Sequence, residues 1–538
     1  MSAIAPAMRI ELNDALWERS GGTRARGYAH LEGRFLPADR IAADVDACTS
    51  DEAWTGLIAR LNGCFAIVTE HEGRVLAAVD RVRTVPLFYG EGARGVFVSD
   101  DAYRIPTERT APAIDPDADA EFCLTGYVTG AQTLRAGVRQ LEAGTWIRAS
   151  ASMPAGAEVS RYHAFRHGEF FAEDVPTLID RLDRLHHGVF ERLLQSIAGR
   201  PIVVPLSGGY DSRLIGVSLR DLGARNVTCY SYGVPGNWEA RISQELANYL
   251  GFRWEFVPYS ADRWQRWAES DRFKAYFHAA GNLTSVPHIQ DWPAIHELVR
   301  ERRIAPESVV VPGHSGDFVA GSHIPKWYAA RSAITRREFL DSLEDAHYSL
   351  WDWPVRDGLR ELFDRRIEAV IGAVSDASPE EAADRFERWD LQERQAKFVC
   401  NSMRVYEQFG LDWRLPLFDT ELMDFWARVP MDLRVGRRLY FAFAAARQAL
   451  PITPANTDYS PLVQSAVRGI DALGLRPFAD RVRRRLRRAR WLAAYDGSPL
   501  AWFALVDPAE FRRTYTGNEL MHSYLARRYR DQVAGISA

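Results

Sequence analysis

A chain of 538 residues, 47% apolar and 26% charged, is long enough for several domains and has the balance of an ordinary globular protein. A formal net charge of −4 excludes a whole-chain electrostatic pull towards nucleic acid, and no apolar run approaches the roughly 18 residues that a membrane helix needs. Met1 to Pro6 carry no basic stretch before an apolar one, and the five cysteines (48, 64, 123, 229 and 400) show no CxxC or metal spacing; no secretory signal is expected, and reduced thiols in a cytoplasmic protein are.

Residues 1 to about 150 read as short strands with tight turns. Phe65–Val68, Val75–Val79, Pro86–Tyr89 and Val96–Val98 alternate with Glu-Gly and Gly-Glu-Gly turns, the pattern of antiparallel hairpins. The stretches LNGCFAIV, VDRVRTVPLFYG, GVFVSDD and GYVTGAQTLRAGVRQLEAGTW, in that order, resemble the glutaminase-type Ntn domain of asparagine synthetases. The resemblance implies an αββα sandwich over residues 1–165. The family's glutaminase uses an N-terminal cysteine freed by loss of Met, whereas residue 2 is Ser2 and Ala3-Ile4-Ala5-Pro6 lack the family's glycine-rich turn. No glutamine-binding segment of the NGEIYN kind is present either, so a structural, inactive domain is expected.

A polar segment between about 150 and 175, with Pro154, Gly156 and Gly168, reads as a linker. Leu178, Leu182, Leu185, Val189, Leu193 and Ile197 then recur at helical spacing up to Gly199. The apolar run Ile202–Leu206 reads as a buried strand, and Leu214 to Leu222 as the helix that follows it. Ser207-Gly208-Gly209-Tyr210-Asp211-Ser212 therefore falls on a strand-to-helix turn. Two glycines let the backbone N–H groups curl around an anion at a helix N-terminus. The serines add hydroxyl donors, and Asp211 can hold a phosphate-bridging metal. No Gly-Lys-[Ser/Thr] follows, so this is not a Walker loop. The loop resembles the SGGxDS loop of the ATP pyrophosphatases, which implies ATP as cofactor, bound by Leu206, Ser207, Gly208, Gly209, Asp211 and Ser212. A strand at 227–232, a helix at 239–250 and a strand through Trp254 and Val257 continue a doubly wound parallel pattern. Tyr230, Ser231 and Tyr232 resemble the segment that lines the adenosine; core packing is the other reading of Tyr230.

A second strand opens into a glycine-rich turn at Ser308–Gly321 and resembles the family's S-G-x-G-x-D-E loop. That resemblance places Gly313 at the nucleotide and Asp317 opposite Asp211, as the second ligand of a Mg²⁺ that also takes phosphate oxygens. Phe318 replaces the family's Glu, and His314 is either a base or a loop histidine tied by hydrogen bonds. The segment from Tyr406 to Asp419 resembles M-x-x-G-x-E-x-R-x-P-F-L-D, with Asp412 in the glutamate's place. Asp412, or Glu407 nearby, is the candidate base for an attacking amine; an Arg–carboxylate tie is the structural alternative. Leu450-Pro451 is followed by no Lys or Arg up to Tyr459, where the family has a lysine. Lysine occurs only at 274, 326 and 397 among the 67 basic residues. Lys326 is the first candidate to supply the missing cation, with Arg437 and Arg438 next.

These segments together resemble the asparagine synthetase superfamily, which includes β-lactam synthetases and lasso-peptide cyclases. The implied architecture is α/β: the sandwich domain, an ATP-pyrophosphatase domain of the adenine nucleotide α-hydrolase-like kind over 166–465, and a helical C-terminal region over 466–538. The implied reaction is ATP- and Mg²⁺-dependent adenylation of a small-molecule or peptide carboxylate, followed by attack of ammonia or a substrate amine. A non-catalytic assembly partner and a glutamine-dependent amidotransferase are the alternatives. Seven arginines between 481 and 490 form either a solvated helix face or a patch for a carrier or partner protein.

Overall fold

Apolar positions on both faces of the central strands build the N-terminal part of the computed structural model, which describes residues 9–71, 73–92, 95–107, 114–150, 156–351, 357–447, 498–515 and 521–535. Its strands are β1 (Arg9–Glu11), β2 (Glu18–Ser20), β3 (Thr23–Leu31), β4 (Arg34–Pro37), β5 (Asn62–His71), β6 (Arg74–Val79), β7 (Phe88–Gly92), β8 (Gly95–Ser99), β9 (Val138–Gln140), β10 (Thr145–Ser150) and β11 (Ala157–Arg161). One sheet runs β11-β10-β6-β5-β3-β2, with β4 on β3; the other runs β1-β8-β7-β9. Phe65 and Ile67 of β5 and Leu76 of β6 pack on Ile41, Trp54 and Ile58 of the helices Ala38–Asp46 and Asp51–Arg60. The intervening Ala66, Val68 and Val79 meet Tyr89 and Val98 of the second sheet and Leu87 just before β7. Burial on both faces is why CFAIV reads as an unbroken apolar run. Beyond the second sheet, Phe88 and Val138 join the core of the helix Pro116–Thr125 through Ala118 and Phe122. The layers are thus helix, sheet, sheet, helix.

The segment expected as a linker is instead structural. It contains β11, paired antiparallel to β10 from Thr145–Arg161 to Ala149–Ala157. Beyond it, Phe165 and Phe171 are buried, and the Gly168 and Phe171 amides donate to the carbonyls of Ala427 and Arg428. Its glycines and charges reflect an edge strand and a docked loop, not a free tether.

The second sheet system is parallel throughout: β12 (Ile202–Pro205), β13 (Val227–Gly233), β14 (Arg253–Pro258), β15 (Val309–Val310) and β16 (Asp412–Trp413), in the order β14-β13-β12-β15-β16. The order reverses between β12 and β15, and in such sheets ligands bind beyond the strand C-termini at that reversal. The helix Val175–Ile197, capped by Asp174 at its N-terminus, leads into β12, and Trp238–Leu250, closed by Gly251 at φ 73°, joins β13 to β14. Among the described residues beyond β16 only helices follow, and the last of them, Met521–Ala534, reaches back to the first domain. The Tyr529 hydroxyl lies 2.8 Å from that of Tyr103 and accepts from the Leu283 amide. The arginine run at 481–490, the segment after Leu450 and Ser2 lie outside the described residues.

Candidate active site

Both loops of the reversal start where a strand runs out. After β12 the chain passes through Ser207-Gly208-Gly209 into the helix Tyr210–Asp221, with Gly209 at its N-cap. The loop is held by its own serines: the Ser207 amide donates to Ser212 Oγ at 3.1 Å, and the Gly209 amide to Ser207 Oγ at 3.1 Å. Buried Leu206 anchors the loop, its amide donating to the Tyr230 carbonyl. After β15 the chain turns through Gly313 and His314 into the short helix Gly316–Val319, with Ser315 at φ 65°. The two loops interlock. A Cβ at Gly313 would sit 2.8 Å from the Ser212 nitrogen, and one at Gly316 would sit 3.0 Å from the Asp211 carboxyl. Glycine at both positions lets the backbones approach.

That approach brings two carboxylates together. Asp211 Oδ2 accepts the Asp317 amide at 3.2 Å, and Asp211 Oδ1 accepts the Tyr440 hydroxyl. Burial, then the Asp317 charge, raises the Asp211 pKa to about 7. Two such oxygen donors suit a cation that completes its shell with phosphate and water, which is how Mg²⁺ is commonly held. No group of three or more His, Cys, Asp or Glu side chains suited to a metal occurs among the described residues. A site finished by a ligand's phosphates fits these residues, and a closed all-protein metal cage does not.

Of the cations expected to serve this site, Arg437 is in place. Its Nη1 lies 3.8 Å from Asp317 Oδ2 and its guanidinium covers the Phe441 ring. It sits at φ 60° after Gly436 at φ 71°, a turn that aims the side chain back at the loop. Arg438 instead pairs with exposed Asp432, and Lys326 starts an exposed turn, Lys326–Ala330.

The expected base residues lie elsewhere, and this is a correction. β16 pairs Asp412 with Val309, which also faces Ile202, so Asp412 is level with the start of β12, at the end of the sheet away from the loops. Its carboxylate is bound by Arg414 at 2.8 Å and Arg200 at 3.0 Å, and Arg414 holds its pKa below the usual range against burial. Asp412 is the Arg–carboxylate tie. Glu407 pairs with Arg26 at 2.6 Å and Arg404 at 2.9 Å, and lines a cavity of about 420 Å³ shared with Asp100 and Arg104 of the first domain. Tyr230 is fully buried and donates to Asp291 at 2.8 Å, so core packing holds for it. Tyr232 stacks on Tyr259 at 5.1 Å; Ser231 Oγ is buried without a hydrogen-bond partner among the described residues, at the strand end beside the loop. His314 is the tied loop histidine: its Nε2 lies 2.9 Å from Ser402 Oγ, and burial pushes its pKa to about 3.

Tyr440 and Arg437 are brought to the two carboxylates by the turn at 436–437 and the helix Arg438–Ala446. Only the two adjacent arginines marked that region in the sequence. Nothing in the sequence singled out Tyr440.

The asparagine synthase family model matches residues 183–456, and that of a glutamine amidotransferase domain matches residues 50–163. A probable glutamine-hydrolysing asparagine synthetase of Acanthamoeba polyphaga mimivirus is 25% identical over 218 residues, 38% of this chain and 36% of that protein's length. Among solved structures, the allosteric regulatory enzyme of purine biosynthesis aligns at 13% identity over 45% of this chain and 61% of its own, with a TM-score of 0.18. The glutamine phosphoribosylpyrophosphate amidotransferase from B. subtilis complexed with ADP and GMP aligns at 12% identity, over 57% and 59%, also with a TM-score of 0.18. Such scores leave both structures without weight for the fold.

Proposed function

This chain belongs to the asparagine synthase family, and we propose that it is an ATP-dependent carbon–nitrogen ligase. In this reading it activates a carboxylate as an acyl-adenylate, releases pyrophosphate, and passes the acyl group to ammonia or a substrate amine. The observation that carries the reading is the Asp211 carboxylate accepting the Asp317 amide, with the Asp317 charge near enough to raise its pKa, between two glycine-gated loops at the sheet reversal. Mg²⁺ held by the two carboxylates would neutralise charge on the β,γ-phosphates. The Gly208 amide and the first N–H groups of the helix Tyr210–Asp221 would bind the leaving pyrophosphate, the Ser207 and Gly209 amides holding the loop's shape, and Ser231 has a free hydroxyl for the nucleoside. ATP–pyrophosphate exchange over a panel of amino-acid carboxylates, beginning with L-aspartate, tests this. Exchange that depends on one carboxylate supports it. Mg·ATP binding without exchange for any would make the chain a non-catalytic partner protein instead.

The acyl-adenylate step needs a positive group at the leaving phosphate, and Arg437 supplies it in this reading. Arg437→Ala is expected to slow exchange by about 10²–10³, while Lys326→Ala and Arg438→Ala stay within about twofold of wild type. Equal losses in all three would remove Arg437 from the site.

The nitrogen comes from ammonia or the substrate itself in this reading, since the first domain has no glutamine-binding segment of the NGEIYN kind. Purified protein is therefore expected to release no glutamate from glutamine. Release that a Ser2→Ala variant loses would overturn this. The substrate is a small-molecule or peptide carboxylate, with the arginine run at 481–490 proposed as the contact for a carrier or partner protein. No helix of the described residues is long and apolar enough to cross a membrane, and the proposed setting is the cytoplasm.

A further inference from the structure

With Asp412 tied at the far end of the sheet, the amine-accepting half of the reaction lacks a base, and beside the tied His314 a second histidine lies on the loop of Asp317. His323 follows the short helix Gly316–Val319; the amide of the preceding Ser322 donates to the Asp317 carbonyl at 3.0 Å, and the His323 ring lies 5.5 Å from that of Phe318. His323 Nδ1 is 2.5 Å from Asp390 Oδ2, on the last residue of the helix Pro379–Asp390. The Asp390 side chain is 0% exposed and that of His323 28%, so the carboxylate is sealed while the imidazole faces outward. Gln395 donates to Asp390 Oδ1 at 3.0 Å, and Ser315 Oγ donates to Gln395 Oε1 at 2.6 Å. The pair is thereby tied to the loop that carries Asp317.

We propose that His323, oriented by Asp390, is the general base that takes the proton of the attacking amine. The inference rests on the ligase reading above and assigns a residue to its second half. An Asp390 contact at Nδ1 keeps the ring proton there and leaves the Nε2 lone pair free. The amine nitrogen attacks the acyl carbon and the acyl–oxygen bond breaks, its electron pair leaving on AMP. Before that attack the ammonium form of the nitrogen gives a proton to Nε2, which returns it to solvent, and the proton the nitrogen still holds in excess after attack goes to water. The charged and titratable groups around His323 are Asp390 and Asp317, which raise its basicity, and Arg394, which lowers it; His347 Nε2 shares the Asp390 carboxylate at 3.6 Å. Burial disfavours the imidazolium, but the Asp390 contact outweighs it and His323 is raised, whereas burial pushes His288 and His347 to about 4.

The test uses the full chain, Mg·ATP and the carboxylate panel, with ammonium chloride and hydroxylamine as alternative nitrogen sources. Ammonium must lose a proton before it attacks, whereas hydroxylamine is already a free base near neutral pH. His323→Gln is expected to cut amide formation from ammonium by about 10²–10⁴ and hydroxamate formation far less, with pyrophosphate exchange measured alongside to report folding and adenylation. Asp390→Asn is expected to move the acidic limb of the ammonium pH profile down by about one unit, because the charge that raises the imidazole pKa is gone. Amide formation from ammonium that persists in His323→Gln, or an equal loss with both nitrogen sources while exchange persists, would overturn the base. So would an Asp390→Asn profile with an unmoved limb. Absence of exchange in the wild type would overturn the ligase reading, and this inference with it.

Discussion

Asp211→Asn and Asp317→Asn are each expected to remove Mg²⁺-dependent ATP binding and to lower pyrophosphate exchange by about 10³, the scale on which an enzyme loses preorganised charge stabilisation. The fold should not suffer, and for Asp211 the sign is opposite. Burial and the Asp317 charge lift its pKa to about 7 in the protein without metal, against 3.8 for a free carboxyl. A carboxyl raised on folding contributes stability below its unfolded pKa and loses it as pH rises through its folded one. Metal-free wild type should therefore lose melting temperature from pH 4 to 8, most of it by pH 7. Asp211→Asn has no such charge and should lose less. Adding Mg·ATP should reverse the order at pH 8, because only wild type retains both carboxylates. Thermal melts at two pH values, with and without Mg·ATP, decide this. Identical pH dependence in the two proteins, or undiminished Mg²⁺-dependent ATP affinity in either variant, would sink the site.

How much of this was legible in the sequence follows from what each signal depends on. The loop after β12 was readable because strand, glycines and helix are contiguous, and local chemistry fixes their geometry. Gly313 and Asp317 repeated that grammar after β15. Asp412 misled because a motif gives neighbours in sequence, whereas its role depends on register: pairing with Val309 puts it level with Ile202, at the wrong end of the strands. Tyr440 reaches Asp211 across 229 residues and His323 reaches Asp390 across 67, and no local periodicity encodes such contacts. β11 was missed because edge strands carry polar residues and glycine, the same composition as a linker.

Lys397 shows what a scarce residue type can signal once its surroundings are known. Its side chain and that of Glu393 are both 0% exposed, and their charged atoms lie 2.5 Å apart on the π-helical stretch Leu391–Val399. The ammonium also donates to the carbonyls of Val128 at 2.9 Å and Gly130 at 2.7 Å, and the Gly130 amide donates back to Glu393 at 3.1 Å. This stretch grips the first domain through Lys397 and, through Gln395, the Ser315 loop of the candidate site. Lys397→Met would strand a buried carboxylate and two carbonyls. The expected cost is about 3–5 kcal/mol, whereas the double variant Lys397→Met/Glu393→Leu should cost markedly less, since it leaves no buried charge. Burial already raises Glu393 to about 7 even with the lysine pulling it down. Without the lysine it rises further, so the destabilisation should be larger at pH 8, where the fold must hold the carboxyl protonated while the unfolded chain ionises it, than at pH 6. Denaturant melts of the three proteins at both pH values measure it. A loss below about 1 kcal/mol in Lys397→Met, or a double variant as damaged as the single one, would show that this pair does not clamp the two domains.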